Sequence, residues 1–247
     1  MHALSTLDRR TVLKALSLAP VIAVALPAAL RAEANKAGLI STDVCLLQPE
    51  VTEGPFYVDP KLIRADITEG RPGLPMALRL QVVAADCTPM VGARVDVWHC
   101  DAAGAYSGVQ NMGGADTTGQ TFMRGTQMTD ASGVATFQTI FPGWYRGRTT
   151  HIHYKVILAD TTVLTSQIFF DEAVNAAIYD DHAAYAATAG ARDTFNADDG
   201  IAADAGAGAI AKVRMTEPDG AMEAALVVGV NPEGSTTGLL DWLWRQG

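Results

Sequence analysis

Along the middle of the chain, apolar and polar positions alternate in short segments separated by turns. Leu78-Arg79-Leu80-Gln81-Val82 and Ala93-Arg94-Val95-Asp96-Val97-Trp98 show the pattern most plainly. A period of two residues lays one apolar face along an extended strand, so both segments are predicted to be half-buried strands. Thr88-Pro89-Met90-Val91-Gly92 carries turn residues and predicts a hairpin joining 78–84 to 93–99. Further strands are expected over 133–140, 150–156 and 163–170, and a last one near 224–230. Residues 101–127, rich in Gly, Ala and Thr, read as one long loop. Residues 173–189 favour one or two short helices, and 239–244 form an apolar terminal packing segment. The run 202–211 is low in complexity but too short for a linker. Many short strands with Gly and Pro turns predict a mainly β fold: an antiparallel β-sandwich core with an irregular N-terminal arm and a few short helices.

The first thirty-four residues follow a different pattern. Arg9-Arg10 precede an apolar stretch from Ala15 to Leu30, and Ala32-Glu33-Ala34 supplies small residues for cleavage. This pattern predicts a twin-arginine export signal over 1–34 and a periplasmic or extracellular location. Val12 stands where such signals often carry Phe. Pro20 and Pro27 break the run, which weighs against a membrane anchor, so the membrane enters only through an uncleaved signal. Such export usually moves folded proteins, often with cofactor loaded. From 35 to 75, Pro49, Pro55, Pro60, Pro72 and Pro75 interrupt any long element, and this stretch is expected to be an ordered arm ahead of a domain spanning 76–247.

Composition supports one substantial core, with 49% apolar and 18% charged residues over 247 positions. A formal charge of -9 excludes a phosphate-tracking surface, which needs clustered Lys and Arg, and so excludes a nucleic-acid partner. Cys45, Cys87 and Cys100 allow one disulfide and one free thiol after export. The pairing is not readable, but the expected hairpin puts Cys87 at its turn and Cys100 at its far end. That disfavours a bridge between them, since bonded cysteines need Cα atoms within about 7 Å.

The sharpest chemical feature is His151-Ile152-His153 inside a predicted strand. Period two places both imidazoles on one face, about 6 to 7 Å apart along the chain, where they can converge on one ion. The plain alternative is a pair of hydrogen-bonded surface histidines. A cupin-type site would need a Glu just downstream, where Val156, Ile157 and Leu158 stand. A zinc site would take His99 or His182 as its third histidine. Two of the six tyrosines sit in Gly-rich settings, Tyr106 in Gly104-Ala105-Tyr106-Ser107-Gly108 and Tyr145 in Pro142-Gly143-Trp144-Tyr145-Arg146-Gly147-Arg148.

The block from Gly92 through Val97-Trp98-His99-Cys100-Asp101 to Tyr106, followed by Tyr145 and by Arg148-Thr149-Thr150-His151-Ile152-His153, resembles the intradiol ring-cleavage dioxygenases, which include the catechol and protocatechuate dioxygenases. The resemblance begins at Thr52-Glu53-Gly54-Pro55-Phe56-Tyr57 and runs to about Phe170. It implies Fe(III) held by Tyr106, Tyr145, His151 and His153, with a catechol-type molecule and dioxygen as partners. Two anionic phenolates with two neutral imidazoles favour the ferric ion. It further implies that an incoming catechol displaces Tyr145, that Arg148 stabilises developing negative charge, and that Thr52, Gly54, Pro55, Tyr57 and Trp144 line the substrate site. The 35–75 arm would then line a catalytic domain. Gln167 is implied by the resemblance and by register, because a hairpin turning at Asp160 sets residue 167 opposite 153.

One departure concerns the substrate. The familiar enzymes carry a longer insertion between the second tyrosine and the Arg, where only Arg146 and Gly147 stand here. A more open pocket and larger catechols are therefore expected. Two other classes stay open on the sequence: a secreted non-catalytic β-sandwich that binds a phenolic or cell-wall ligand, and a zinc hydrolase using His151, His153 and His99.

Overall fold

The computed structural model describes residues 47–59, 61–110, 116–186, 192–216 and 220–233. The expected export signal, Cys45 and the 239–244 segment lie outside these residues. Among the described residues, eight strands form two four-stranded sheets. The first has the order β4 (Val134–Ile140), β1 (Pro75–Ala84), β8 (Ala221–Val230), β7 (Lys212–Thr216), and the second the order β3 (Arg124–Met128), β2 (Arg94–Trp98), β5 (His151–Leu158), β6 (Thr161–Phe169). Leu78, Leu80, Val82, Phe137, Ala224 and Val228 of the first sheet share one core with Val95, Val97, Ile152, Tyr154, Val156 and Ile168 of the second. This is the face the alternating pattern predicts, and each large apolar side chain buried there contributes about 1.5–3 kcal/mol.

The predicted hairpin does not form. β1 pairs with β4 and β8, whereas β2 pairs with β3 and β5. The intervening turn is tight, with Ala84 N–H donating to Thr88 O and Met90 N–H to Val82 O, both at 2.9 Å. At Gly92, φ is 72° and the chain crosses to the second sheet. Each strand carries a full apolar face, and opposing the two buries both, which a flat hairpin cannot do. Cys87 is disulfide-bonded and Cys100 is a free buried thiol, so the disfavoured bridge is absent, although for a different reason.

Three further features depart from the pattern. The first sheet is mixed, because β1 and β8 run parallel while its other pairs are antiparallel. The predicted long loop ends early, because β3 occupies Arg124–Met128. Arg124, Gly125 and Thr126 are buried without being apolar, so no periodicity announces them. Gly125 is required by space, since a Cβ there would stand 2.5 Å from Ile67 Cγ2. β7 is a mostly exposed edge strand and carries no signal either.

The described helices are short: α1 (Glu172–Asp181), 3-10 turns over Ala183–Tyr185 and Ala207–Ala209, and α2 (Gly200–Ala205), which overlaps the low-complexity run. Among the described residues, no helix is long and apolar enough to cross a membrane. Residues 52–59 run irregularly over the outer face of the second sheet. There Tyr57 donates to Asp96 at 2.9 Å, Asp59 meets Arg94 at 2.7 Å, and Glu53 pairs with Lys155. These contacts match a polar outer row, Thr126, Asp96, Lys155 and Thr165, in register across the four strands.

Candidate metal centre

One row further along the same outer face, the register aligns Arg124, Trp98, His153 and Gln167. The His153 to Gln167 pairing is the one expected, but it depends on an irregularity. The hairpin turns at Ala159-Asp160, both at positive φ, and Leu158 pairs with Thr161. A bulge between Val156 and Ile157 then shifts the register by one, so that Val156 faces Leu164. Without that extra residue Ser166 would oppose His153 and Gln167 would point into the core.

Two loops bring the tyrosines. Tyr106 follows a turn in which Asp101 Oδ1 accepts the N–H groups of Ala103 and Ala105 at 3.0 Å. Tyr145 precedes β5. The loops touch at Gly104, whose φ is 83° and where a Cβ would stand 2.3 Å from the Trp144 carbonyl oxygen. Gly104→Ala is therefore expected to push the tyrosines apart and destabilise the fold by about 2–4 kcal/mol, through strain and overpacking together. Chemical denaturation checks this, and a stability within 0.5 kcal/mol of wild type, roughly the noise of a surface change, would refute it.

The four polar atoms meet at one point. His151 Nε2 lies 3.2 Å from the Tyr106 hydroxyl, 3.2 Å from the Tyr145 hydroxyl and 3.1 Å from His153 Nε2. Separations of that size suit a central ion with bonds of about 2.0–2.2 Å. His151 Nδ1–H donates to Thr149 O at 2.6 Å, which leaves its Nε2 lone pair facing the centre. His153 Nδ1 has no hydrogen-bond partner; the ring stacks on Trp98 at 4.9 Å and 11° instead. Gly54, at φ 70°, lies against His153, where a Cβ would be 3.4 Å from Cε1.

Burial sets the protonation of the set. It pushes His151 down to about 3 and His153 well below the usual imidazole value, so both stay neutral. Burial also raises Tyr106 well above an ordinary phenol, and the Tyr145 phenol adds to the rise. Tyr145 is raised by burial, while the Arg148 guanidinium beside it pulls the other way. Without a cation the two hydroxyls and His153 Nε2 all share the one His151 Nε2, and a cation at their centre can take all four groups as ligands. Among the described residues no cluster of three or more His, Cys, Asp or Glu forms. The two phenols are thus what completes the set, and such oxygen donors with two imidazoles suit a hard trivalent ion.

The zinc alternative lacks its third histidine. His99 Nδ1 pairs with Cys100 O at 2.8 Å and Nε2 with Thr139 Oγ1 at 2.7 Å, while His182 Nδ1 accepts the Ala184 N–H. Burial lowers His99 to about 4 from the usual 6.5. A depressed folded pKa means that its stabilising effect is complete above pH 6.5 and is lost as pH falls toward 4. About 3 kcal/mol is expected to disappear over that window. His99→Gln should flatten this part of a denaturation series against pH, and an unchanged slope would refute the assignment.

Arg148 and Gln167 do meet. Arg148 Nε–H donates to Asp199 Oδ2 at 2.8 Å and Nη2–H to Gln167 Oε1 at 2.6 Å, and Gln167 Nε2–H donates to Thr52 O at 2.9 Å. Thr52 and Gly54 therefore sit over the row, with Pro55 exposed beside them. Tyr57 turns away, onto Trp98 and Asp96 and under Lys155, and it is Phe56 that stacks on Tyr106 at 4.6 Å and meets Tyr145 edge-on at 6.3 Å. Trp144 is half-buried and packs against the main core. Sequence reading missed Phe56, Trp98 and Asp199 as site residues. Phe56 lay inside the quoted motif, Trp98 is legible only from strand pairing, and Asp199 has no local signal beyond a helix cap.

Comparison with known proteins places these residues within one matched region. Residues 51–211 match the family described as Dioxygenase. Catechol 1,2-dioxygenase 1 of Acinetobacter lwoffii is 27% identical over 158 residues, covering 55% of this chain and 49% of that protein. The chain spans about half the length of the curated relatives it matches. An intradiol ring-cleavage dioxygenase from Tetranychus urticae superposes with a TM-score of 0.70 at 33% identity, covering 78% of this chain and 98% of that one. The dioxygenase domain of a dioxygenase carbohydrate-binding protein fusion from Streptomyces sp. SirexAA-E gives a TM-score of 0.56 at 26% identity, covering 75% of this chain and 99% of that domain.

Proposed function

Because the chain belongs to the dioxygenase family matched over residues 51–211, we propose that it is an Fe(III)-dependent intradiol dioxygenase that opens a catechol-type ring between its two hydroxylated carbons to a muconate-type diacid. The convergence of the Tyr106 and Tyr145 hydroxyls and His153 Nε2 to within 3.1–3.2 Å of His151 Nε2 carries this reading. When held by these four, ferric iron would draw electron density from a bound catechol and make the ring reactive toward dioxygen.

The chain's own groups do the rest. Tyr106 is 1% exposed and its ring is covered by Phe56, which suits a fixed ligand. Tyr145 is partly exposed on a two-loop junction; ionised as a ligand, it would be the phenolate that swings out and takes up a proton from the entering catechol at its Oη. Arg148, held through Nε by Asp199 and through Nη2 by Gln167 and lying beside the Tyr145 hydroxyl, is placed to meet negative charge developing on the substrate. Gln167 is held at both ends of its amide, so its orientation is set before substrate arrives. Phe56 and Trp98 form an apolar wall that keeps bulk water from the reacting ring.

Oxygen uptake with a panel of catechols, followed by ultraviolet spectra of the products, tests the proposal. A muconate-type product is expected; a yellow semialdehyde, or an iron-loaded protein that consumes no oxygen, would overturn it, the latter in favour of a binding module. Tyr145→Phe is expected to shift or bleach the tyrosinate-to-iron colour and to cut turnover by at least ~100-fold. An unchanged spectrum and rate would remove Tyr145 from the ligand set.

The substrate class follows from the short link between Tyr145 and Arg148. Arg146 is 95% exposed and Gly147 is exposed, so this side carries little cover, and catechols bearing bulky substituents fit the proposal best. Specificity constants across simple and substituted catechols decide it, with a strong preference for bare catechol counting against. Export through residues 1–34 is part of the same proposal, and fractionation of the full-length chain with the twin arginines intact or replaced by lysines tests it.

A further inference from the structure

The residues leading into His151 are held from one side by a single segment. Asp193 Oδ1 accepts the Gly147 N–H at 3.0 Å, and Asn196 Oδ1 accepts the Thr149 hydroxyl at 2.7 Å. Asp199 Oδ2 accepts both the Thr149 N–H at 2.9 Å and Arg148 Nε–H at 2.8 Å. Asp199 is the buried member, its side chain 2% exposed. Its other oxygen, Oδ1, caps α2 by accepting the N–H groups of Ile201 and Ala202 at 2.9 and 3.1 Å.

The two oxygens therefore have separate duties. Capping needs one side-chain oxygen, and Ser or Asn caps about as well as Asp. The carboxylate serves something more: a buried anion is tolerated because four N–H donors meet it, two of them from the Arg148-Thr149 turn. With Nε on Asp199 and Nη2 on Gln167, the plane of the Arg148 guanidinium is fixed. The same carboxylate fixes the Thr149 peptide, whose carbonyl takes the His151 Nδ1–H.

We propose that Asp199 is a positioning residue for ring opening, its Oδ2 holding the Arg148 guanidinium in the orientation the reaction uses, apart from the capping done by Oδ1. The inference rests on the functional reading above. It touches neither substrate nor iron and acts through Arg148.

The test uses Asp199→Ser and Asp199→Asn in the full chain, each alone and combined with Arg148→Met. Turnover is expressed per bound iron, beside KM, iron content and the melting temperature. Asp199→Ser keeps a cap and is expected to keep iron, while kcat per iron falls ~10–100-fold with little change in KM, the size typical of a lost supporting contact. In the Arg148→Met background the same change is expected to cost less than ~3-fold, because the partner is already gone. Asp199→Asn serves if the Ser variant does not fold, and the same loss and the same non-additivity are expected of it. An equal cost in both backgrounds, or a single variant within ~3-fold of wild type, overturns the inference alone. Iron-loaded wild type that opens no catechol overturns it together with the functional reading.

Discussion

Replacing His151 with alanine is expected to leave a folded chain that holds no stoichiometric ferric iron and has lost at least ~1,000-fold of its turnover, well beyond the 10–100-fold typical of a lost supporting contact. His151 is the hub of the centre, because its Nε2 lies within 3.2 Å of all three other donor atoms. Its Nδ1–H is fixed on the Thr149 carbonyl, so the ring is presented with its lone pair ready and little entropy left to lose on binding. Removing it leaves two phenols that burial keeps protonated and one imidazole, a set unable to ionise for a trivalent ion. The metal-free chain loses no apolar packing of the main core, since His151 lies on the outer face of the second sheet, so its melting temperature should change little. Metal analysis and the visible absorption of the purified variant check the first half, and thermal unfolding without iron checks the second. A variant that retains one iron per chain and its colour would remove His151 from the ligand set.

Arg148→Met is expected to keep iron and colour but to lose about 100–1,000-fold in kcat with KM little affected, the size seen when a fixed donor to developing negative charge is lost. The guanidinium is not a ligand. Its contacts are to Asp199, Gln167 and the Tyr145 hydroxyl, all of which shape the space beside the metal. Stability should fall only modestly, because Asp199 still accepts N–H groups from Thr149, Ile201 and Ala202. Arg148→Lys should recover little, since one ammonium cannot serve Asp199 and Gln167 at once from a planar fork. Steady-state kinetics normalised to bound iron decide the matter. Loss of iron in the Met variant, or full recovery in the Lys variant, would make Arg148 a structural ion pair and no more.

The chain's local pattern carried a good deal of this. Strand periodicity alone set His151 and His153 on one face, because that placement depends on two successive backbone dihedral pairs and nothing distant. The same local rule marked β1, β2, β4, β5, β6 and β8. It failed where burial is not apolar: β3 buries Arg124 against the Ser107 carbonyl at 2.7 Å, and no alternating scheme reveals such a strand. Tyr106 and Tyr145 were legible only as a resemblance, since their loops are irregular and 39 residues apart in the chain.

What only the tertiary structure decided are the matters that depend on residues far apart. Alternation says that β1 and β2 each have an apolar face, but which sheet each joins follows from burying both faces against each other, a property of the whole core. The pairing of Gln167 with His153 was expected from a turn at Asp160, but the structure reaches it through one bulge residue in β6, too small a feature for periodicity to reveal. The two tyrosines meet because Gly104 lets one loop rest on the Trp144 carbonyl of the other. Asp199 reaches Arg148 across 51 positions of chain. The sequence by itself determined a β-rich chain with a paired-histidine strand and the motif of a ring-cleaving dioxygenase. The closing of three donors to 3.1–3.2 Å from His151 Nε2, and the carboxylate that steadies the guanidinium beside them, come from packing. The physical reason is that dihedral preference acts over a few residues, whereas desolvation and close contact are settled only when distant segments share one interior.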